Sequence, residues 1–157
     1  MSGNVQPVPT GYHTVTPYLV VRNAAAAIDF YKAAFGATEA FRMADPSGKV
    51  HHAELRIGDS PVMLTDEWPD MGARDPESLG GTPVSLHLYV TNVDTLAAQA
   101  IAAGARQLRP VRDQFYGDRT GTFADPFGHT WHIATHKEDV PEEELRRRAK
   151  AAMQGQG

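Results

Sequence analysis

A set of landmarks recurs along the chain at a spacing close to 69 residues. Asn23 and Asn92 stand 69 apart ahead of two Ala-rich stretches, Gly36 and Gly104 stand 68 apart at the ends of those stretches, and Met63 and His132 stand 69 apart in later segments. A repeat of this length means two like modules. The first copy opens with an alternating strand from Val15 to Val21. Asn23 then caps a helix over Ala24 to Phe35, with Ile28, Tyr31 and Phe35 at helical spacing and Gly36 as terminator. Strands follow over 37–43, 51–57 and 61–66, divided by the Asp45-Pro46-Ser47-Gly48 and Gly58-Asp59 turns. The second copy repeats the opening strand over 84–90, a helix capped by Asn92 or Asp94 and running to about Ala103, and a last strand from Thr130 to His136.

Each copy reads strand, helix, strand, strand, strand. One four-stranded sheet with a single helix cannot cover both of its faces, and two such units can. The expected fold class is therefore α+β, with two tandem βαβββ modules whose curled mixed sheets surround a cavity. The bounds expected are a disordered tail over 1–13, a first module over 14–67, a linker loop over 68–82, a second module over 83–137, and a C-terminal helix and tail over 138–157. That last helix, with Glu142 to Glu144 at its start and Arg146 to Lys150 behind them, is read as an exposed, solvated segment, with a docking arm as its functional alternative.

Alternation assigns faces. The apolar sets Val15/Leu19/Val21, Ala53/Leu55/Ile57 and Val62/Leu64 should lie against the first helix, and Leu86/Leu88/Val90 and Trp131/Ile133 against the second. The opposite faces then carry Tyr18, His52, Glu54 and Met63 in the first copy and Ser85, His87, Thr130 and His132 in the second. Imidazoles, aromatics and a carboxylate on one side of each sheet suit a cavity wall. His132 is the focal residue, since the tight Asp125-Pro126-Phe127-Gly128 turn delivers it onto the face opposite Trp131.

Other side chains add to the candidate ligand site. Arg119 offers a bidentate fork for an anionic or carbonyl group, or pairs with Asp118, Asp113 or Asp125 to hold its loop. Tyr116, Phe115 and Tyr18 would make a stacking wall for a flat ligand or simply pack. The Asp66-Glu67-Trp68-Pro69-Asp70 stretch would suit a planar cation, or be an exposed acidic loop. Composition removes several classes. With no cysteine there is no disulfide or thiolate site, so a metal would need His, Asp or Glu. A net charge of −4 and a single Arg triplet behind a Glu triplet are not a nucleic-acid footprint. No segment has the ~20 apolar residues of a membrane span, and the chain is read as cytoplasmic.

The duplicated unit, the short Val-x-Asn helix entry in each copy and the phrase from Tyr116 through Asp125-Pro126-Phe127-Gly128 to Trp131 resemble the vicinal oxygen chelate superfamily. That group holds glyoxalase I, bleomycin-resistance proteins, fosfomycin-modifying enzymes and extradiol dioxygenases. The resemblance covers residues 14 to 137 and implies a homodimer. It implies metal ligands from the first and last strands of each copy, which here are Thr16, Met63, Ser85 and His132. Only His132 is a good ligand, whereas a divalent metal wants about three imidazole or carboxylate donors. A displaced set of His52, Glu54, His87 and His132 is the alternative, for Zn, Ni, Mn or Fe. Two functions follow. One is a binding protein that holds a small molecule in the cavity of the paired modules; the other is a metal-dependent lyase, isomerase or dioxygenase acting on a vicinal-oxygen substrate.

Overall fold

The computed structural model describes residues 3–155, so the first two residues of the expected tail and the last two of the C-terminal segment lie outside the described residues. The chain divides into two compact units, one ending at Thr82 and the other beginning at Pro83. Among the described residues no helix is long and apolar enough to cross a membrane.

The first unit runs β1 (Tyr18–Val21), α1 (Ala24–Phe35), β2 (Thr38–Ala44), β3 (Val50–Ile57) and β4 (Ser60–Asp66). Its strands lie in the order β1-β4-β3-β2, with β1 parallel to β4 and the other pairs antiparallel. Alanine favours the helix, and the caps set its ends. Asn23 accepts a hydrogen bond from the Ala26 N–H, and Gly36 ends the helix with φ 69°. Ile28, Tyr31 and Phe35 are buried against Leu19, Val21, Ala53, Leu55 and Leu64. Fully burying each large apolar side chain contributes roughly 1.5–3 kcal/mol. Val15 departs from the expected apolar face: it is 83% exposed, because pairing starts only where the Pro17 carbonyl accepts from the Met63 N–H.

The linker, expected to have no regular structure, holds a 3-10 turn at Pro69–Met71 and a short helix α2 (Pro76–Leu79). Asp75 caps α2 through the Ser78 N–H, and its other oxygen, which has no hydrogen bond, faces Arg22 Nε at 3.5 Å. Burial pushes the Asp75 carboxyl up, but the Ser78 hydrogen bonds and the Arg22 charge outweigh it and hold the group below its ordinary value.

The second unit runs β5 (Ser85–Tyr89), α3 (Val93–Ala103), β6 (Arg106–Asp113), β7 (Asp118–Ala124), β8 (Thr130–His136) and α4 (Glu142–Gln154). Its strand order β5-β8-β7-β6 repeats that of the first unit, parallel pair included. Trp131, Phe123 and Ile133 are buried on the α3 side. Asp125 builds the turn ahead of β8: one carboxylate oxygen accepts from the Phe127 and His129 N–H groups and the other from Trp131 Nε1. Gly128, at φ 93°, completes the reversal. The α4 helix buries none of its residues, and Arg148 ties it down by an ion pair to Glu138 and a hydrogen bond to the Phe115 carbonyl.

Candidate functional site

In the first unit, β1, β3 and β4 bring Tyr18, His52, Glu54 and Met63 onto the face away from α1. Tyr18 lies opposite Met63 across β1 and β4, and Met63 lies opposite Glu54 across β4 and β3. The Tyr18 hydroxyl and His52 Nδ1 are hydrogen-bonded at 2.9 Å, and His52 Nε2 is 3.7 Å from Glu54 Oε1. From within the segment expected to be disordered, the Tyr12 hydroxyl donates to Glu54 Oε1 at 2.7 Å. That bond to the carboxylate, more than burial, raises the Tyr12 hydroxyl pKa; Tyr18 is raised by burial first and by the Glu54 charge second. These groups satisfy one another.

Asp66 is buried and accepts from the Ala24 and Val50 N–H groups, while Lys49 Nζ already lies 3.6 Å from the centre of the Trp68 ring.

In the second unit the corresponding face is concave. A cavity of about 290 Å³ is walled chiefly by His87, Arg109, Gln114, Tyr116, Thr122 and His132. His132 stands opposite His87 across β5 and β8 and opposite Thr122 across β7 and β8. Its Nδ1 meets the Thr122 hydroxyl at 2.9 Å and its Nε2 the Ser85 hydroxyl at 3.1 Å. Burial first, then the neighbouring His87 and Arg109 charges, push the His132 pKa down, so the ring is neutral near pH 7. The His87 and His132 rings are 5.9 Å apart, and His87 is 4.7 Å from Tyr89. Tyr116 stands edge-on to Phe115 at 5.3 Å, its hydroxyl raised by burial and then by Asp118.

Of the residues read from the sequence, His87, Tyr116 and His132 line this cavity, whereas Tyr18, His52 and Glu54 belong to the first unit's face. Arg119 stands elsewhere. Its guanidinium is held by both oxygens of Asp94, each at 2.9 Å, and by Asp113 at 3.3 Å, which raises its already high pKa. Arg109 and Gln114 were not foreseen. They come from β6 and the turn after it, where register shifts on either side of Arg109 break the alternation that would have revealed their direction.

Beside the cavity lies a relay of polar groups, also not foreseen. The buried Asp118 accepts from the Tyr89 hydroxyl at 2.7 Å and pairs with His136 Nδ1 at 2.7 Å, and His136 Nε2 meets Asp139 at 2.7 Å. Burial pushes the Asp118 carboxyl up, but the His136 and Tyr89 hydrogen bonds hold it below its ordinary value. His136 is raised by its bonds to Asp118 and then Asp139.

A divalent metal does not fit this donor set. Among the described residues there is no group of three or more His, Asp or Glu side chains that could hold one. In the second unit both nitrogens of His132 meet hydroxyls, and the cavity wall carries no carboxylate.

The chain is built of two βαβββ units, each with a helix on one face of its sheet and polar side chains on the other. The family model of the glyoxalase/bleomycin resistance protein/dioxygenase superfamily matches residues 11–133, and the chain belongs to that superfamily, as the resemblance in its turns and repeats implied. An uncharacterized protein of Mycobacterium bovis is 46% identical over 160 residues, covering 100% of this chain and 99% of that protein. A crystal structure of an Arabidopsis thaliana gene product superposes with a TM-score of 0.63 at 27% identity, covering 78% of this chain and 98% of that one. TioX from Micromonospora shares the fold with a TM-score of 0.62 at 24% identity, over 82% of this chain and 100% of that one.

Proposed function

We propose that this chain is a small-molecule-binding member of the superfamily, with its usual metal-ligand positions largely vacated and its ligand held against the polar face of the second unit. The observation that carries this reading is the cavity of about 290 Å³ walled by His87, Tyr116 and His132, close to the lower end of ordinary ligand pockets, about 300–1,000 Å³. It is concave and lined by convergent hydrogen-bonding groups. By the resemblance, Thr16, Met63 and Ser85 fall at positions where metal-dependent members carry ligands, and their chemistry favours the binding reading over metal-assisted chemistry. Assembly as a homodimer in the cytoplasm is part of the same proposal.

The test combines a metal assay with a fragment screen on tag-free protein. Wild type and a His87→Ala/His132→Ala variant are assayed for zinc, nickel, manganese and iron, with equal and substoichiometric content expected. Stoichiometric metal lost from the variant would restore the enzyme reading. In parallel, backbone amide spectra are recorded against fragments of mixed charge. Shifts should gather at Gly121, Thr122 and His132, and their absence for every fragment would end the cavity reading.

A further inference from the structure

The wall of the second unit's cavity is unbalanced in charge. Arg109 is its one fixed charge, and the lining contains no Asp or Glu. Among the described residues no carboxylate comes within ion-pair distance of Arg109, and the same holds for Arg56, Arg74, Arg106 and Arg112; what sets Arg109 apart is its place in the cavity wall. The carboxylate that acts on the wall from behind is Asp118, which Tyr116 feels, but its two oxygens are already taken by Tyr89 and His136. The uncharged groups around Arg109 are able to donate: the Gln114 amide, the Tyr116 hydroxyl, and the Thr120 and Thr122 hydroxyls. Arg109 is an exposed residue on the wall of the hollow, and a guanidinium placed there among donors and without a counter-ion is suited to receive an oxyanion.

We propose that the second unit's cavity takes a small organic anion, with its carboxylate or phosphonate oxygens on Arg109 and Gln114 and its body along Tyr116 and the His87/His132 pair. This rests on the reading of the cavity as a ligand site and adds the chemical class. The anion supplies the charge the wall lacks. The fork of Arg109 fits two oxygens of one planar or tetrahedral group, and Tyr116 and Pro110 give the rest of the molecule an apolar surface. Neutral His132, fixed by Thr122 and Ser85, then serves as wall and not as counter-charge.

The test is a charge-matched set of probes of one shape, benzoate, benzamide and benzylamine, with phenylphosphonate as a second anion. Each is titrated into the full chain at pH 7 while the Gly121 and Thr122 amides and the Arg109 guanidinium are followed by NMR. Benzoate or phenylphosphonate should bind at least about ten-fold more tightly than benzamide, and Arg109→Gln should remove about that factor, the size typical of one charge-assisted contact. Whichever anion binds more tightly identifies the group. Arg106→Gln removes the same charge from the same strand outside the cavity wall and should leave the affinity within about two-fold, which separates a site from general charge attraction. Equal binding of benzamide or benzylamine, or anion binding indifferent to Arg109→Gln, overturns the anion proposal and leaves the cavity standing. If no probe shifts the cavity amides, the anion proposal falls together with the cavity reading.

Discussion

The two units keep one frame and differ on one face. Asn23 caps α1 and Asn92 caps α3, in each case by accepting from the N–H three residues on. The last strand also reaches back to the helix start in both. The Asp66 carboxylate accepts from the Ala24 N–H at 2.8 Å, and 69 residues later the Thr135 hydroxyl accepts from the Val93 N–H at 2.8 Å. The polar faces have diverged. Tyr18, Glu54 and Met63 occupy the sheet positions that His87, Thr122 and His132 occupy in the second unit. In the first unit Glu54 is satisfied by Tyr12 and approached by His52; in the second, an unpaired Arg109 stands over a hollow. The difference teaches that helix anchoring specifies the module, while the far face is free to become a closed polar cluster in one copy and an open hollow in the other.

The largest expected effect tests the shared frame. Asp66 holds two backbone donors, Ala24 and Val50, whereas Thr135 holds one and donates to the Val90 carbonyl. Asp66→Ala leaves two buried N–H groups without partners and should cost roughly 2–5 kcal/mol; Thr135→Val should cost about 1–3 kcal/mol. Urea midpoints measure both, and equal losses would mean that the two helix anchors carry the same weight despite their chemistry.

A smaller effect isolates what only the second unit has. A Cβ on Gly117 would lie 2.2 Å from the Glu138 carbonyl oxygen, and the residue has φ 101°. Its own carbonyl accepts from the Lys137 and Glu138 N–H groups, so it anchors the lead-in to α4. Gly117→Ala should cost about 1–3 kcal/mol and free that segment for proteolysis. Gly36→Ala, also at positive φ (69°) but into open space, should cost about 1–2 kcal/mol and leave α4 protected. Equal protease sensitivity of the two variants would show that Gly117 does not anchor the helix.

How much of this the sequence carried depends on strand regularity. In β8 the alternation is uninterrupted, so Trp131 and Ile133 on one face and His132 on the other follow from counting, as the structure shows. The duplication gave the caps and the order of elements for the same reason: Asn, Ala-rich run and Gly are local signals. Counting fails at bulges. Arg109 lies between two register shifts, so no period reveals its direction. It fails for charge as well. Asp66 reads as part of an acidic loop and Asp118 as a partner for Arg119, yet both are buried at strand ends, because their partners come from elements 16 to 42 residues away along the chain.

The Asp118 network predicts a pH dependence confined to the second unit, where Val20 and Glu67 stand at the first unit's positions for Tyr89 and His136. His136 is raised from its ordinary 6.5, so its contribution is full below that value and is lost as pH rises through the folded-state value. Asp118 is lowered from 3.8, so its contribution is full above that value and is lost as pH falls through the lowered one. The network is therefore strongest between about pH 4 and pH 6.5. The stability gap between wild type and His136→Gln should be widest near pH 5.5 and narrow by pH 8.5. A gap that does not change with pH would remove the charge from the account of this contact.

The smallest expected effect concerns the exposed α4, which no counterpart in the first unit matches. Arg146 pairs with Glu142 one turn earlier, and both side chains are more than three-quarters exposed. Arg146→Ala should therefore change stability by no more than about 0.5 kcal/mol. Arg148 sits at the same spacing from Glu144 but also reaches Glu138 and the Phe115 carbonyl, and its side chain is only 29% exposed. Arg148→Ala should cost more than Arg146→Ala and raise amide exchange along the whole helix, because it removes a tie to the loops beside the sheet and not merely a pair within the helix. Equal and negligible losses would make α4 a free segment, and the second unit would then differ from the first only in its polar face.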